Sequence, residues 1–106
     1  MSSSIAFTSR GTATGRARII TDPADFDAFQ PGEILVARAT APAWTPLFAK
    51  AAAVVTDAGT LAAHASLVAR EYAIPAVVGT QTATTRLRTG QVVTVDGTSG
   101  QVHPRS

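Results

Sequence analysis

The chain has 106 residues, of which 45% are hydrophobic and 15% charged, with a formal net charge of +2. These totals suit one small folded domain and exclude both a disordered chain and a nucleotide-binding enzyme built of several domains. The absence of cysteine excludes disulfides, thiolate metal sites and a cysteine nucleophile.

Residues 1–10 are small and polar and read as a flexible lead-in to a single domain over residues 11–103. Gly11-Thr-Ala-Thr-Gly15 carries a turn signal. Arg16 to Thr21 alternates charged and apolar residues, as a half-buried strand does. Asp22-Pro23 opens a short helix, with Asp22 as N-cap and Pro23 at the first helical position. Phe26 and Phe29 then face the core together, and Pro31-Gly32 ends the piece. Glu33 to Ala37 is an apolar run of strand length.

Thr40 is placed to cap a helix running through Pro42 to Lys50, beginning near Pro46. Trp44, Leu47, Phe48 and Ala51 share its helical spacing and read as core. Ala52 to Thr56 is the next strand. Leu61 to Tyr72 forms a helix with Thr60 as N-cap, followed by a short buried strand over Ile74 to Val78. Gln81 to Leu87 is a short helix and Gln91 to Val95 a strand. Asp96-Gly97 makes a hairpin-type turn, and Gly100 to His103 pairs back. Alternating strands and short helices with one terminal hairpin predict an α/β fold, small sheets packed with helices.

No apolar run approaches the roughly 20 residues that span a bilayer. Met1-Ser-Ser-Ser-Ile-Ala-Phe lacks the regions of a signal peptide. A cytoplasmic protein without membrane contact is expected. The arginines are scattered, with loose pairs at Arg16/Arg18 and Arg86/Arg88. No dense basic stripe with interleaved aromatics is present, so no nucleic-acid partner is expected. Arg86 and Arg88 read either as solvated surface or as docking contacts for a partner domain.

His64 is the residue around which the chemistry gathers. In the predicted helix, Leu61, Ala65, Val68 and Tyr72 share one stripe, and His64 lies at its edge, in line with Leu67, Val68 and Glu71. It sits in the first turns, where backbone N–H groups lack intrahelical acceptors and the helix dipole favours an anion. A phosphoryl group on the ring reaches this end of the helix, Ser66 offers a hydroxyl, and Gly59 lets the backbone approach a donor closely. A capping or packing histidine has the same spacing. Asp57 reads either as an orienter of the ring or as a loop cap. Ser66 lies on a different helix face from a base at His64, which argues against a hydrolytic pair. The other histidine, His103, is in the tail, and no spacing resembles a metal-ligand set.

The run Gly59-Thr-Leu-Ala-Ala-His64-Ala-Ser-Leu-Val-Ala-Arg70-Glu71-Tyr-Ala-Ile-Pro75-Ala-Val-Val-Gly79 resembles the swivelling phosphohistidine domain of the phosphoenolpyruvate-utilising enzymes. Gly32 to Val36, Ala43 to Phe48 and Gly90 to Gly97 continue the likeness over about residues 11–102. The resemblance implies a swivelling β/β/α fold and a phosphoryl-carrier role for His64. Gly59, Thr60, Ala65 and Ser66 are then the supporting phosphate loop and helix start, and Glu71 a residue that orients the ring. It further implies that the domain binds no metal or nucleotide of its own. Mg²⁺ with ATP or phosphoenolpyruvate belongs to nucleotide-binding or phosphoenolpyruvate/pyruvate-binding partner domains or chains, and the domain does not turn over alone. The sequence departs from the family pattern in three places. Thr60 stands at a usual glycine, Ala62 and Ala63 stand where a hydroxyl residue is common, and Ala73 replaces the glycine after the helix. These departures sustain an alternative, a non-catalytic interaction module with His64 idle. The initiating Met1 and short tails favour a free-standing carrier over a fragment.

Overall fold

The computed structural model describes residues 8–58 and 62–105, with the backbone alone for residues 8, 62 and 63. Its centre is a seven-stranded sheet in the order β1-β5-β4-β3-β2-β6-β7. The strands are β1 (Thr8–Ser9), β2 (Thr12–Ile19), β3 (Ile34–Ala37), β4 (Ala53–Thr56), β5 (Ala76–Val77), β6 (Val92–Asp96) and β7 (Gln101–Pro104). The α-helices are α1 (Thr45–Phe48), α2 (Ala62–Glu71) and α3 (Ala83–Arg86), with 3-10 turns over Pro23–Ala28 and Pro42–Trp44. No helix among the described residues is long and apolar enough to cross a membrane.

Strands β3 and β4 are buried at every position, as continuous apolar runs in a parallel sheet should be. They pair in parallel from Ile34↔Ala53 to Ala37↔Thr56, and β5 continues the parallel set with Val54↔Ala76. Strand β2 serves two neighbours. Its first half pairs antiparallel with β6, and Ala17 to Ile19 pair in parallel with β3.

Alternating residues supply two cores, one on each face. On one face Leu35 and Val54 meet Phe29, Leu47, Phe48, Ala65 and Ala69. On the other, Ile34, Val36 and Val55 meet Ala83, Leu87 and the inner residues of β6 and β7. Fully burying a side chain such as Phe48 stabilises the fold by about 1.5–3 kcal/mol.

Several expected features appear as read. Asp22 caps the first 3-10 turn by accepting from Ala24 N–H, with Pro23 beginning it. Phe29 is buried and Phe26 packs on the same core. The helix near Pro46 starts there.

Others differ for identifiable reasons. Thr8–Ser9, at the end of the expected lead-in, join the sheet antiparallel to β5. Gly11 to Gly15 is mostly strand rather than turn. Gly15 is required by close packing, because a Cβ there would lie 2.7 Å from the Gly32 carbonyl oxygen. On α2, Ala65 and Val68 face the core as expected, joined by Ser66 and Ala69, while Tyr72 stands 42% exposed beyond the helix end. The chain leaves α2 through Ala73 at φ 57, the left-handed exit that usually takes glycine.

Candidate functional site

Because β3 and β4 are adjacent and parallel, the segments that follow them emerge side by side at one end of the sheet. Backbone bonds tie the two exits together: Asp57 N–H donates to Ala37 O, and Ala58 N–H to Arg38 O at 2.8 Å. One exit leads to Thr40 and α1, the other to α2. His64 is the third residue of α2, in the turn whose N–H groups have no intrahelical acceptors.

The ring of His64 is half-buried and held on two sides. Phe48 meets it edge-on, with centroids 6.1 Å apart and planes at 89°. Thr40, 8% exposed, places Oγ1 2.9 Å from His64 Nδ1. With Nδ1 engaged, Nε2 is the nitrogen left for chemistry. In the tautomer where Nδ1–H donates to Thr40 Oγ1, Nε2 carries its lone pair and is a nucleophile.

Thr40 is the site residue that sequence reasoning misses. It reads as a helix cap, yet Ala41 is the cap position and makes no side-chain capping bond. Thr40 uses its hydroxyl on the ring, 24 positions away in sequence. The available signal is topological: a hydroxyl just past one buried strand neighbours whatever follows the next parallel strand.

The remaining expected residues fall as follows. Ala65 and Ser66 are 0% and 2% exposed, on the side of α2 that packs against the sheet. Glu71 is exposed, and the bond to His64 Nδ1 comes from Thr40 instead. Asp57 is a cap: its carboxylate accepts from Thr84 N–H at 3.1 Å and from the Thr84 hydroxyl, anchoring α3. Gly59 and Thr60, with the expected N-cap, lie outside the described residues. Arg70 is exposed near the far end of α2 and lines, with Arg10, a separate open cavity. Among the described residues no three His, Asp or Glu side chains converge in a way that would hold a metal ion.

A half-buried histidine, fixed by a hydroxyl at the start of a helix on the carboxyl end of a parallel sheet, defines an α/β domain that presents one ring nitrogen. Family comparison gives that class its identity: residues 29–100 match the model of the PEP-utilising enzyme mobile domain, and the chain belongs to that family. It is 59% identical over 93 residues to the chondramide synthase cmdD of Chondromyces crocatus, covering 88% of this chain and 2% of that protein. It is 53% identical over 94 residues to the uncharacterized phosphotransferase YvkC of Bacillus subtilis (strain 168), covering 89% of this chain and 11% of YvkC. Among solved structures, the solution structure of an Enzyme I protein (nEIt) superposes with a TM-score of 0.68 at 29% identity, covering 76% of this chain and 34% of that one. The fold is thus the α/β fold of the mobile domain of PEP-utilising enzymes. In these relatives it is a small part of a much longer chain.

Proposed function

We propose that His64 carries a phosphoryl group between two sites supplied by partner domains or chains, in the cytoplasm. The observation that supports this most is the Thr40–His64 bond, which occupies Nδ1 and leaves Nε2 to react. The Nε2 lone pair attacks the donor phosphorus. The P–N bond forms as the bond to the donor's leaving oxygen breaks, and the leaving group departs with that electron pair. In the second half, an acceptor oxygen attacks the same phosphorus and Nε2 recovers its lone pair.

Each half needs in-line approach and charge neutralisation, which this domain supplies only in part. Its own contribution is to hold the ring at one tautomer and angle. It also sets the phosphoryl dianion near the positive end of α2. Mg²⁺, held on the partner with ATP or phosphoenolpyruvate, would screen the negative charge on the donor. A ring held by a buried hydroxyl is poised for chemistry, which tells against an idle histidine.

The test is to incubate the chain with ATP or phosphoenolpyruvate and the donor domains of a relative, then measure intact mass. An acid-labile, alkali-stable phosphoryl adduct is expected, absent from His64→Ala. An adduct that persists in His64→Ala would overturn the assignment.

A further inference from the structure

An open cleft of about 720 Å³ lies across the carboxyl end of the parallel strands. Its walls come from successive strand exits: Thr21 after β2, Arg38 after β3, Ala58 after β4 and Gln81 after β5, with Ile20 and Trp44 forming the apolar side. Crevices outside the carboxyl ends of parallel strands are where α/β folds take ligands, and the volume is that of a small-molecule site. The cleft reaches Ala39, the neighbour of Thr40, and so adjoins the residue that holds His64.

The lining residues show what the cleft is built to hold. Arg38 is exposed, and its guanidinium has no ion-pair or hydrogen-bond partner among the described residues. The carboxylate in the cleft wall, Asp57, is engaged with Thr84 rather than with Arg38. Trp44 is half-buried, its ring set edge-on to Phe26 at 5.1 Å and 73°. In addition, Gln81 is held at φ 70, a conformation costly for a non-glycine residue, with its N–H bonded to Asp57 O at 3.0 Å.

We propose that this cleft binds a small organic anion, its carboxylate or phosphate on the Arg38 guanidinium and its flat apolar body against Trp44 and Ile20. Such a molecule is seated on the carrier domain itself, at the same end of the sheet as His64. The site is separate from any donor site on a partner domain and does not depend on His64 being phosphorylated.

Trp44 is the single tryptophan of the chain, so its emission reports the cleft directly. Phenyl phosphate and benzoate are titrated into the intact chain, with benzyl alcohol as the uncharged analogue. Saturable change with at least one anion is expected, and the tighter of the two tells phosphate from carboxylate. Arg38→Ala should weaken binding about tenfold. Arg38→Lys should weaken it less, and Arg16→Ala, on β2, should leave it unchanged. Amide NMR shifts in the unmodified chain should map to Ala39, Ala58 and Gln81, which keeps the test independent of how the variants fold. No saturable response to either anion, equal affinity in Arg38→Ala, or an equal response to benzyl alcohol would each overturn the proposal. The titration reads binding and not phosphoryl transfer, so its failure leaves the carrier reading of His64 standing. A failed phosphorylation assay, likewise, leaves the cleft untouched.

Discussion

At His64 a single hydroxyl decides which ring nitrogen is available. Thr40 Oγ1 sits 2.9 Å from Nδ1 and is itself buried, so water cannot readily take its place. Thr40→Val keeps the shape and removes the hydroxyl. We expect it to slow phosphohistidine formation about tenfold, the rate equivalent of one charge-assisted hydrogen bond. Ring ¹⁵N shifts should show Nδ1–H as the dominant neutral tautomer in the unmodified chain and a mixture in the variant. Small phosphoramidate, used as the donor, isolates this effect from partner docking. His64 itself was legible in the sequence, through its position at a helix start and the motif around it. Thr40 was not, because its partner is distant in sequence and a threonine before Pro42 has an obvious local use as a cap. Asp57 was ambiguous for the converse reason. Its proximity to His64 in sequence suggested an orienter, and only the packing of α3 shows where the carboxylate goes.

At the scale of elements, local chemistry was the reliable guide. The apolar runs of β3 and β4, the Asp22-Pro23 start and the hairpin around Asp96 all follow from residue pattern and turn chemistry. In the hairpin, Asp96 accepts from the N–H groups of Thr98 and Ser99. Local preference gives way where a tertiary neighbour intervenes. Gly15 looks like a turn residue but serves the approach of the Gly32 carbonyl. Thr8–Ser9 have no strand signal of their own and are ordered by β5. The exit of α2 was anticipated from the alanine at position 73, and its φ of 57 makes the cost explicit. Ala73→Gly should therefore stabilise the domain by about 0.5–1 kcal/mol, the relief of left-handed strain less the added freedom of the unfolded chain. Thermal unfolding would register this as a raised Tm.

Across the whole molecule, the joint between the antiparallel ribbon and the parallel sheet is clamped by Glu33. Its carboxylate takes a two-point contact from Arg18, at 3.1 and 3.0 Å, and a third bond from Gln30 N–H at 2.7 Å. Burial pushes the Glu33 carboxyl up, but the bonds from Arg18 and Gln30 outweigh it and hold the group below its ordinary value. The clamp's contribution is therefore fully present above the unfolded carboxylate value of about pH 4.3 and is lost as pH falls through the lower folded value. Glu33→Gln should cost about 1–2 kcal/mol near neutral pH and flatten the acid limb of a stability–pH curve measured by urea denaturation. The shared strand β2 has a further consequence. Thr12 to Arg16 pair with β6 and Ala17 to Ile19 with β3, while the Ala17 N–H and carbonyl are still held on the β6 side by Gln91 O and Gly90 N–H. The ribbon and the parallel layer cannot separate without tearing one continuous strand at its middle. The hydrogen-bonded amides of β2 should thus exchange only through global opening, with a single protection free energy on both sides of Ala17. A domain that travels between two sites would move as one body, and the flexibility of that journey would lie outside the sheet.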